Sequence, residues 1–530
     1  MANRELLLGD EALALGALHA GLSGVYAYPG TPSTEITEYI QNHPLAAERN
    51  VHCKWSANEK TAMEEALGMS FCGKRALVCM KHVGMNVAAD AFVNSGMTGA
   101  NGGLVVVAAD DPSMHSSQNE QDSRFYGKFA FIPVFEPSTQ QETYDMVRYA
   151  FDYSERSHIP VLMRLTTRMA HSRAVVETAP AREPNAYACP APERMRQWVL
   201  MPGNSRVRYN TLLEEYARFE EEAAASRFNT FRDGADRSRG IIACGIAYNY
   251  LMENYPDGCP HPVLKIAQYP LPRAEVRRLA AQCDSLLVIE EGQPLVEEQL
   301  RGILETPLPI RGRMSGELPR TGELTPDSVR RALGLEPHEA HAASQIVVPR
   351  PPALCQGCGH RDMYTALTEV VREYDNARVF SDIGCYTLGW LAPFHAIDTC
   401  VEMGGSITMA KGAADAGQHP SIAVIGDSTF THSGMTGLLD AVNEQANITV
   451  IISDNLTTGM TGGQDSAGTG RLEQICAGIG VDPAHIRVVV PLPRNREEIA
   501  YRGVSVIIPR RECIQTAKRH NAAKTAKSAE

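Results

Sequence analysis

A chain of 530 residues is long enough for roughly three or four domains, each with its own core. Its 44% hydrophobic and 21% charged residues are ordinary for an α/β protein, and its net charge of −12 argues against nucleic acid as the main partner. The sequence contains no signal-peptide pattern and no run of about eighteen apolar residues, so we expect a cytoplasmic protein without a membrane partner. In a reducing compartment its 13 cysteines indicate metal or redox chemistry for some and packing for others.

Residues 1–181 alternate helical and strand patterns, as parallel α/β sheets do. The predicted elements are, in chain order, a helix over Glu11–Leu22 and strands over Val25–Tyr28, Leu104–Ala109 and Pro160–Leu165. Each strand ends in Gly, Pro, Asp or Thr, residue types that favour turns and ligand-binding edges. These residues therefore predict a first α/β domain.

The middle of the chain changes composition twice. Residues 182–238 are enriched in Pro, Arg and Glu and predict a connecting segment with one exposed helix. Residues 239–310 resume the alternation, with strands at Ile241–Ala243 and Ser285–Ile289, and predict a second α/β domain. The Pro-, Arg- and Gly-rich residues 311–353 predict a linker.

Two later strands are each followed by polar residues. The run Ser421–Ile425 leads into Gly426-Asp427-Ser428, and the run Ile448–Ser453 leads into Asp454 and Asn455. Successive strands of a parallel sheet end on the same edge, so the Asp427 and Asn455 side chains can lie together there. Their oxygen atoms suit a Mg²⁺ ion that also holds phosphate groups. The alternative is an ordinary strand-to-helix turn capped by the aspartate.

The last predicted domain, residues 354–515, also contains a pair of cysteines. Cys355 and Cys358 form a C-x-x-C on a Gly-rich turn, from which two thiolates can reach one metal centre. Taken alone, the pair could equally be a redox dithiol or half of a zinc site. Residues 516–530 are polar and rich in Ala and Lys, and predict a disordered or loosely helical tail.

Several blocks of sequence carry a family resemblance: Tyr28–Glu35, Trp55–Lys60, Met80–Gly84, Asp110–Asp122, Cys355–Arg361, Asp382–Tyr386 and Gly426–Phe430. In this order they resemble the large (alpha) subunit of indolepyruvate:ferredoxin oxidoreductase, a thiamine-diphosphate-dependent 2-oxoacid oxidoreductase. The resemblance implies a multidomain α/β protein with parallel, doubly wound sheets. Its pyrimidine-binding thiamine domain would be residues 1–181, its transketolase-C-terminal-like domain 239–310, and its diphosphate-binding domain 354–515.

The resemblance also implies an activity. Such enzymes oxidatively decarboxylate a 2-oxo acid onto coenzyme A and pass two electrons through iron–sulfur clusters to ferredoxin. The implied cofactors are thiamine diphosphate, Mg²⁺ and a [4Fe–4S] cluster. The implied partners are a smaller beta subunit and ferredoxin or a further iron–sulfur or flavin subunit, in a dimer of heterodimers or a larger complex. The favoured substrate is an aryl 2-oxo acid such as indolepyruvate, with phenylglyoxylate or another bulky 2-oxo acid as the alternative.

The resemblance assigns Glu59 to catalysis, because thiamine chemistry needs a carboxylate against the aminopyrimidine. The nearby Glu64 and Glu65 are more simply explained as exposed helix carboxylates. The implied Mg²⁺ ligands are Asp427, Asn455 and the Thr457 carbonyl. Other residues implied at the cofactor site are Gly426, Ser428, Gly404 and Ser406.

The implied substrate residues are Thr31 and Arg124, as ligands of the 2-oxo acid carboxylate, and His82, which lines the cleft with Lys81. The alternatives for the first two are a turn-forming threonine and a surface arginine. The resemblance further implies that four thiolates hold the [4Fe–4S] cluster: Cys355, Cys358, Cys385 and Cys513. For most of the other cysteines packing is the better interpretation.

One feature of the family is missing from this sequence. Related chains usually continue past the Cys513 region into a ferredoxin-like module with repeated C-x₂-C-x₂-C-x₃-C runs, and this sequence contains none. We therefore expect electrons to leave the single cluster for another subunit. Two other classes stay open from sequence: a non-redox thiamine decarboxylase or synthase, and an electron-transfer subunit whose thiamine site has decayed.

Overall fold

The computed structural model describes residues 3–188, 196–304, 307–339, 342–490 and 496–519. The chain divides into two compact units, residues 1–341 and 342–530. Both have an α/β architecture with parallel strands, as the sequence predicted. Across the described ranges, no helix combines the length and apolar character that spanning a bilayer requires.

The larger unit contains three sheets. Its strands are β1 (Asn3–Leu8), β2 (Gly24–Ala27), β3 (His52–Trp55), β4 (Ala76–Lys81), β5 (Leu104–Asp110), β6 (Val134–Phe135), β7 (Val161–Thr166), β8 (Arg173–Thr178), β9 (Thr230–Arg232), β10 (Gly240–Cys244), β11 (Val263–Ile266), β12 (Gln268–Tyr269), β13 (Leu286–Ile289) and β14 (Ile310–Arg311). The seven-stranded sheet has the order β12-β6-β7-β5-β4-β2-β3, and only its β12–β6 pair is antiparallel. The five-stranded sheet has the order β14-β13-β10-β11-β9, and β1 pairs with β8 in a third sheet.

The helices of the larger unit connect these strands. They span Gly9–His19, Thr34–Asn42, Pro44–Glu48, Glu59–Phe71, His82–Thr98, Arg124–Ala130, Gln140–Ser157, Thr167–His171, Pro202–Ala224, Ala247–Glu253, Arg273–Ala280, Leu295–Ile303 and Pro326–Ala332, with a 3₁₀ turn at Arg196–Trp198. All seven residues of β5 are buried, so this strand is a continuous apolar run that ends in Asp110. Polar residues thus come at the ends of strands, where ligands bind in parallel sheets.

The predicted elements of the first domain are present with small shifts. Strands β2 and β7 are shifted by one residue from their predicted ranges, and β5 extends one residue further. The first helix spans Gly9–His19 instead of Glu11–Leu22. It ends early because Gly21 adopts a φ of 79°, a left-handed conformation that closes the helix and favours glycine.

Two segments predicted to connect domains carry structure of their own. The predicted connecting segment contains helix Pro202–Ala224 and strand β9, which pairs with β11. The predicted linker contains helix Pro326–Ala332 and the fully buried Leu318 and Leu324. The helix in the connecting segment was predicted, whereas composition missed strand β9 and the structure of the linker, because their apolar residues are isolated among Gly, Pro and Arg and show no regular period. The domain boundaries stay a prediction.

The smaller unit is one five-stranded sheet in which every pair is parallel. Its strands are β15 (Arg378–Ser381), β16 (Ser421–Gly426), β17 (Ile448–Ser453), β18 (Ile486–Val489) and β19 (Val504–Pro509), in the order β15-β16-β17-β19-β18. Its helical segments span Gly359–Val371, Cys385–Trp390, Gly405–Asp415, Asp427–Thr429, Phe430–Gly434, Met435–Asn443, Gly459–Thr461, Leu472–Ile479, Pro483–His485 and Arg496–Ala500.

The smaller unit is covered on both faces of its sheet. Along β16, Ile422 and Val424 join a hydrophobic cluster with helix Gly359–Val371, while Ala423 and Ile425 join a second cluster with helix Met435–Asn443. Alternate residues of a strand point to opposite faces, so both faces of the sheet are buried. The result is a doubly wound layer whose strand ends form one polar edge.

Candidate functional site

The carboxyl edge of the smaller unit brings the two predicted polar segments together. Gly426 at the end of β16 is paired with Ser453 at the end of β17, so the next residues of each strand are neighbours. Asp427 is buried, and its Oδ2 has no hydrogen-bond partner. Burial raises the pKa of Asp427 to about 7, and the neighbouring Asp454 adds repulsion. A buried carboxylate oxygen without a donor is what a cation at this edge would satisfy.

The other predicted ligands surround the same edge. Asn455 Oδ1 accepts a hydrogen bond of 3.1 Å from the Thr457 amide, which folds the chain back over the strand ends. The Ser428 and Thr458 hydroxyls lie 2.9 Å apart and join the two strand ends. The donor set therefore fits Mg²⁺, which takes carboxylate, amide and carbonyl oxygens together with phosphate oxygens.

Gly404 and Ser406 lie where a helix of the smaller unit begins. Gly404 has a φ of 92°, and an added Cβ would lie 2.5 Å from Ser433 Cβ, so glycine is required. The Ser406 amide donates to Asp382 Oδ2 at 3.2 Å. These contacts fix the first turn of helix Gly405–Asp415, although the Gly405 and Ser406 amides are already bonded to protein acceptors.

The four predicted cluster cysteines line one cavity of about 90 Å³ in the smaller unit: Cys355, Cys358, Cys385 and Cys513. Cys355 and Cys358 come from the turn before helix Gly359–Val371, while Cys385 and Cys513 follow β15 and β19. Burial raises the pKa of the Cys385 thiol to about 12, and the other three thiols add repulsion. A positively charged metal centre would instead lower the pKa of the thiol and favour the thiolate.

The spacing of these thiols can be compared with that of a zinc site. Thiolates that share one zinc at about 2.3 Å lie roughly 3.8 Å apart. Throughout the ranges that the structure describes, no three cysteines have sulfur atoms within 4.8 Å of one another.

Two polar side chains contact these sulfur atoms. His360 Nδ1 lies 3.2 Å from Cys358 Sγ, and Gln515 Nε2 donates to Cys355 Sγ at 3.5 Å. Burial lowers the pKa of His360 to about 4, so the imidazole is neutral at pH 7. Hydrogen bonds to cluster sulfurs are one of the means by which proteins set a reduction potential.

The cysteine cavity borders the proposed Mg²⁺ edge. The Cys513 amide donates to the Asn455 carbonyl at 3.0 Å. A Cβ on Gly459 would lie 3.3 Å from Cys385 Sγ and 3.7 Å from Asn455 Nδ2. One backbone segment therefore separates the two candidate cofactor sites.

In the larger unit, Glu59 is buried at the start of helix Glu59–Phe71. The Asn58 side chain caps this helix by accepting from the Thr61 amide at 2.8 Å. A Cβ on Gly84 would lie 2.7 Å from Glu59 Oε1, so glycine gives the carboxylate its space. Glu64, by contrast, is exposed and paired with Lys60, as expected for a helix surface.

The remaining predicted substrate residues lie at the ends of β2 and β4. Thr31 is partly exposed in the loop after β2, and the preceding Gly30 packs against the Lys81 side chain, which an added Cβ would approach to 3.2 Å. Burial lowers the pKa of Lys81, which Asp111 and Glu59 counteract. His82 is buried, with Nε2 at 3.1 Å from the Asn119 carbonyl and Nδ1 without a partner.

Arg124 does not belong to this group. Its guanidinium is fully buried, with Nη2 at 2.5 Å from Asp122 Oδ2 and Nη1 at 2.9 Å from Glu290 Oε2. It also donates to the carbonyls of Glu291 and Gln293. With its donors engaged by protein acceptors, Arg124 ties β13 to the start of its own helix, and neither the predicted substrate role nor the surface alternative fits it.

This arrangement predicts that Arg124 stabilises the folded protein. We expect Arg124→Met to lower the free energy of unfolding by about 3–5 kcal/mol, because Asp122 and Glu290 would stay buried without their counter-charge. Arg320→Met is the control, since Arg320 is exposed and donates to the neutral Gln293 side chain at 2.9 Å. Denaturant unfolding measures both. A well-folded Arg124→Met enzyme with only a raised KM would instead restore the substrate role.

Sequence reasoning gave no role to Asp382, which the structure places beside the cofactor residues. Asp382 is fully buried and accepts from the Tyr386 hydroxyl and the Ser406 amide. Burial raises its pKa to about 7. The available signal was its position directly after a strand, the same feature that marked Asp427.

The other cysteines differ in their exposure to solvent. Cys79, Cys244, Cys283 and Cys476 are buried, which agrees with packing, while Cys400 is exposed. Cys189 lies outside the described residues, as does the predicted tail beyond Arg519.

Comparison with known proteins adds independent findings. Residues 15–226 match the family model described as "Pyruvate flavodoxin/ferredoxin oxidoreductase, thiamine diP-bdg". Residues 382–486 match "Thiamine pyrophosphate enzyme, C-terminal TPP binding domain". These matches cover Glu59 in the first case and Asp427 and Asn455 in the second.

Relatives match over most of the chain. The indolepyruvate oxidoreductase subunit IorA of Archaeoglobus fulgidus is 39% identical, over 96% of this chain and 86% of its own length. The same subunit of Pyrococcus abyssi is 38% identical, with the same coverage. Among solved structures, the 2-oxoglutarate:ferredoxin oxidoreductase of Magnetococcus marinus has a TM-score of 0.50 at 16% identity, over 62% of this chain and 65% of that one. The last similarity concerns the fold alone.

Proposed function

The chain belongs to the family of the indolepyruvate oxidoreductase subunit IorA, and we propose that it oxidatively decarboxylates an aryl 2-oxo acid such as indolepyruvate to an acyl-CoA. It is a 2-oxoacid oxidoreductase subunit with thiamine-diphosphate-binding domains. In the proposed reaction, electrons leave through a [4Fe–4S] cluster to ferredoxin or to a partner subunit. A smaller beta subunit completes the enzyme, as a dimer of heterodimers or a larger complex.

One observation carries this proposal: the cysteine cavity and the Asp427–Asn455 edge adjoin. The Cys513 amide bonds to the carbonyl of Asn455, and Gly459 lies against both Cys385 and Asn455. A non-redox thiamine enzyme would need the carboxylate and amide at the strand ends but has no use for four convergent thiols beside them. The arrangement therefore favours an oxidoreductase over a decarboxylase or synthase.

Each cofactor would meet a suitable set of residues. Asp427, Asn455 and the Thr457 carbonyl would hold Mg²⁺ and through it the diphosphate, while the four cysteines would hold the cluster. When bound, thiamine diphosphate would supply the nucleophilic carbon for decarboxylation, and the cluster would supply an acceptor of single electrons. Glu59 exchanges a proton with the aminopyrimidine ring, and the low exposure of this carboxylate keeps water from competing for that proton.

On the substrate side, Thr31 and His82 would position the 2-oxo acid. The Thr31 hydroxyl can donate to its carboxylate, and the buried His82 forms a polar wall. Lys81 would take the electrostatic role that the sequence gave to Arg124, because its side chain packs against Gly30 of the loop that carries Thr31, while its ammonium donates to the Ser116 carbonyl at 3.1 Å. Phenylglyoxylate and other bulky 2-oxo acids are the competing substrates. These 2-oxo acids can be ranked by assaying each with coenzyme A and the beta subunit and measuring the acyl-CoA formed.

The cofactor site has a direct test in Asp427→Ala. We expect this variant to lose thiamine diphosphate during gel filtration, because removing the carboxylate removes the Mg²⁺ ligand that carries the diphosphate. Cofactor is measured by thiochrome fluorescence after denaturation. Asp440→Ala removes an exposed carboxylate of the same unit and should retain full occupancy. Full occupancy in Asp427→Ala would refute the assigned ligand.

A further inference from the structure

A second cluster of metal-ligating side chains lies in the larger unit, apart from the residues assigned above. Asp10, Glu35 and His171 have one ligand atom each within 4.8 Å of the others. In the part of the chain that the structure describes, they are the only such group of three. The three come from separate helices: Gly9–His19, Thr34–Asn42 and Thr167–His171.

Asp10 is the unusual member of this cluster. Its side chain is completely buried, and neither carboxylate oxygen has a hydrogen-bond partner. A buried, unpaired carboxylate is costly, and native proteins normally give such a group a donor or a metal. The Oε2 atom of Glu35 is likewise buried without a partner. Each of the two carboxylates therefore has a buried oxygen without a donor.

The spacing between ligand atoms also suits a metal ion. His171 Nε2 and Glu35 Oε1 are 3.5 Å apart, which is long for an N–H···O hydrogen bond. Two atoms that each lie about 2.1 Å from one tetrahedral ion are roughly 3.4 Å apart. The observed separation matches two ligands of a shared ion, and without an ion the two side chains form an ion pair that lowers the pKa of Glu35 and raises the pKa of His171.

Close backbone packing at Gly9 lets these three residues approach one another. Gly9 packs so tightly on helix Thr167–His171 that an added Cβ would lie 2.0 Å from the Met169 carbonyl oxygen. Glycine at this position therefore lets the first turn of helix Gly9–His19 approach His171. Further charges face the cluster from Glu11, which is paired with Arg173 at 3.7 Å and acts on Asp10, and from Asp111, which acts on His171. Burial raises the pKa of Asp10 well above its ordinary value, and Glu35 and Glu11 add repulsion that a cation would remove.

We propose that Asp10, Glu35 and His171 bind a divalent transition-metal ion, of the Mn²⁺ or Zn²⁺ type. Two carboxylates and one imidazole favour these ions over Mg²⁺ or Ca²⁺, which prefer oxygen alone. The ion would neutralise the two carboxylates and join three helices of the larger unit. Glu35 lies at the end of the Tyr28–Glu35 block, so the ion would also anchor the loop that carries Thr31. This site does not depend on the proposed reaction.

The test is a titration of the full chain with Mn²⁺. Binding is measured as the decrease in the electron paramagnetic resonance signal of free Mn²⁺. Asp427→Ala serves as the background, because it removes the other candidate site for this ion. We expect a single tightly bound Mn²⁺ in that background and none when Asp10→Asn is added. Mn²⁺ has little preference for thiolates, so the cysteine cavity does not interfere. Equal binding with and without Asp10→Asn, or no binding in either, would overturn the proposal.

Two further variants identify the ligands. His171→Gln should remove the imidazole nitrogen coupling from the pulsed resonance spectrum of bound Mn²⁺, whereas Glu11→Gln should leave it unchanged. Folding is not in question for Asp10→Asn, because it replaces a buried charge with a neutral group of equal size. Without metal its melting temperature should equal or exceed that of the parent, and added Mn²⁺ should raise only the parent's. A persistent nitrogen coupling in His171→Gln would remove that residue from the site.

Discussion

Glu59→Gln is expected to leave folding and cofactor binding intact while slowing exchange of the thiazolium C2 proton by about 10²–10⁴-fold. Glutamine matches glutamate in size, so the packing around Gly84 is preserved. What is lost is a group that can exchange a proton with the aminopyrimidine. The exchange rate is measured by transferring the holoenzyme into deuterated buffer and stopping the exchange after increasing times. The remaining C2 proton is then observed by nuclear magnetic resonance.

The same helix supplies the control. Glu64 is exposed and paired with Lys60, so Glu64→Gln should exchange at the rate of the unchanged chain. Gly84→Ala gives an independent check, since its Cβ would displace the Glu59 carboxylate without changing its charge. Gly68→Ala is the matched substitution, because nothing lies within 4 Å of the added carbon. An unchanged exchange rate in Glu59→Gln would assign the proton relay to another group.

The edge of the smaller unit was predictable from sequence for a simple reason. Strands β16 and β17 are short apolar runs with polar residues directly after them, and parallel pairing aligns their ends. That alone brings Asp427 beside Asn455. Cys385 and Cys513 could be placed in the same way, because each follows a strand of the same sheet.

The environment of Arg124 could not be predicted in this way. Its partner Glu290 lies far away in the sequence, at the end of β13 in a different sheet. No periodicity connects the two residues, and a motif block that contains an arginine says nothing about which acids surround it. Arg313 is a second example, since composition placed it in a linker while the structure buries it against Glu291 at 3.0 Å. Buried charge pairs depend on tertiary packing, which local pattern does not encode.

Asp10 was missed for a related reason. An acidic residue in the first turn of a helix is commonly explained by the helix dipole, so the sequence offers no cause to single it out. Its lack of partners is visible only when Glu35 and His171 are brought close. Sequence therefore locates ligands that follow strands and overlooks those that helices assemble.

The second large effect is expected at the cysteine cavity. The full chain, isolated without oxygen, should contain about four irons, which is the content of one [4Fe–4S] cluster on four cysteines. Cys513→Ser should lose most of this iron and the associated absorption near 400 nm. The reason is that the Cys513 backbone is held by the Asn455 carbonyl, in a different segment from the other three thiols, so none of them can take its position.

The functional consequence separates cluster loss from loss of the thiamine site. Cys513→Ser should retain thiamine diphosphate, because Asp427 and Asn455 keep their positions, yet it should no longer reduce a viologen dye with a 2-oxo acid. Cys400→Ser is the control, since Cys400 is an exposed thiol of the same unit outside the cavity. It should keep both iron and dye reduction.

The exposure of the thiols suggests a direction for the proposed electron flow. Cys385 is half-buried and Cys355 is exposed, so the proposed cluster would have a cofactor side at Cys385 and an outer side at Cys355. A partner that accepts electrons should therefore dock near Cys355 and Gln515, and Gln515→Leu should shift the cluster's reduction potential by removing the hydrogen bond to Cys355 Sγ. Zinc in place of iron, or an unchanged cluster in Cys513→Ser, would refute this ligand set and with it the proposed path of electrons from the strand edge to the surface.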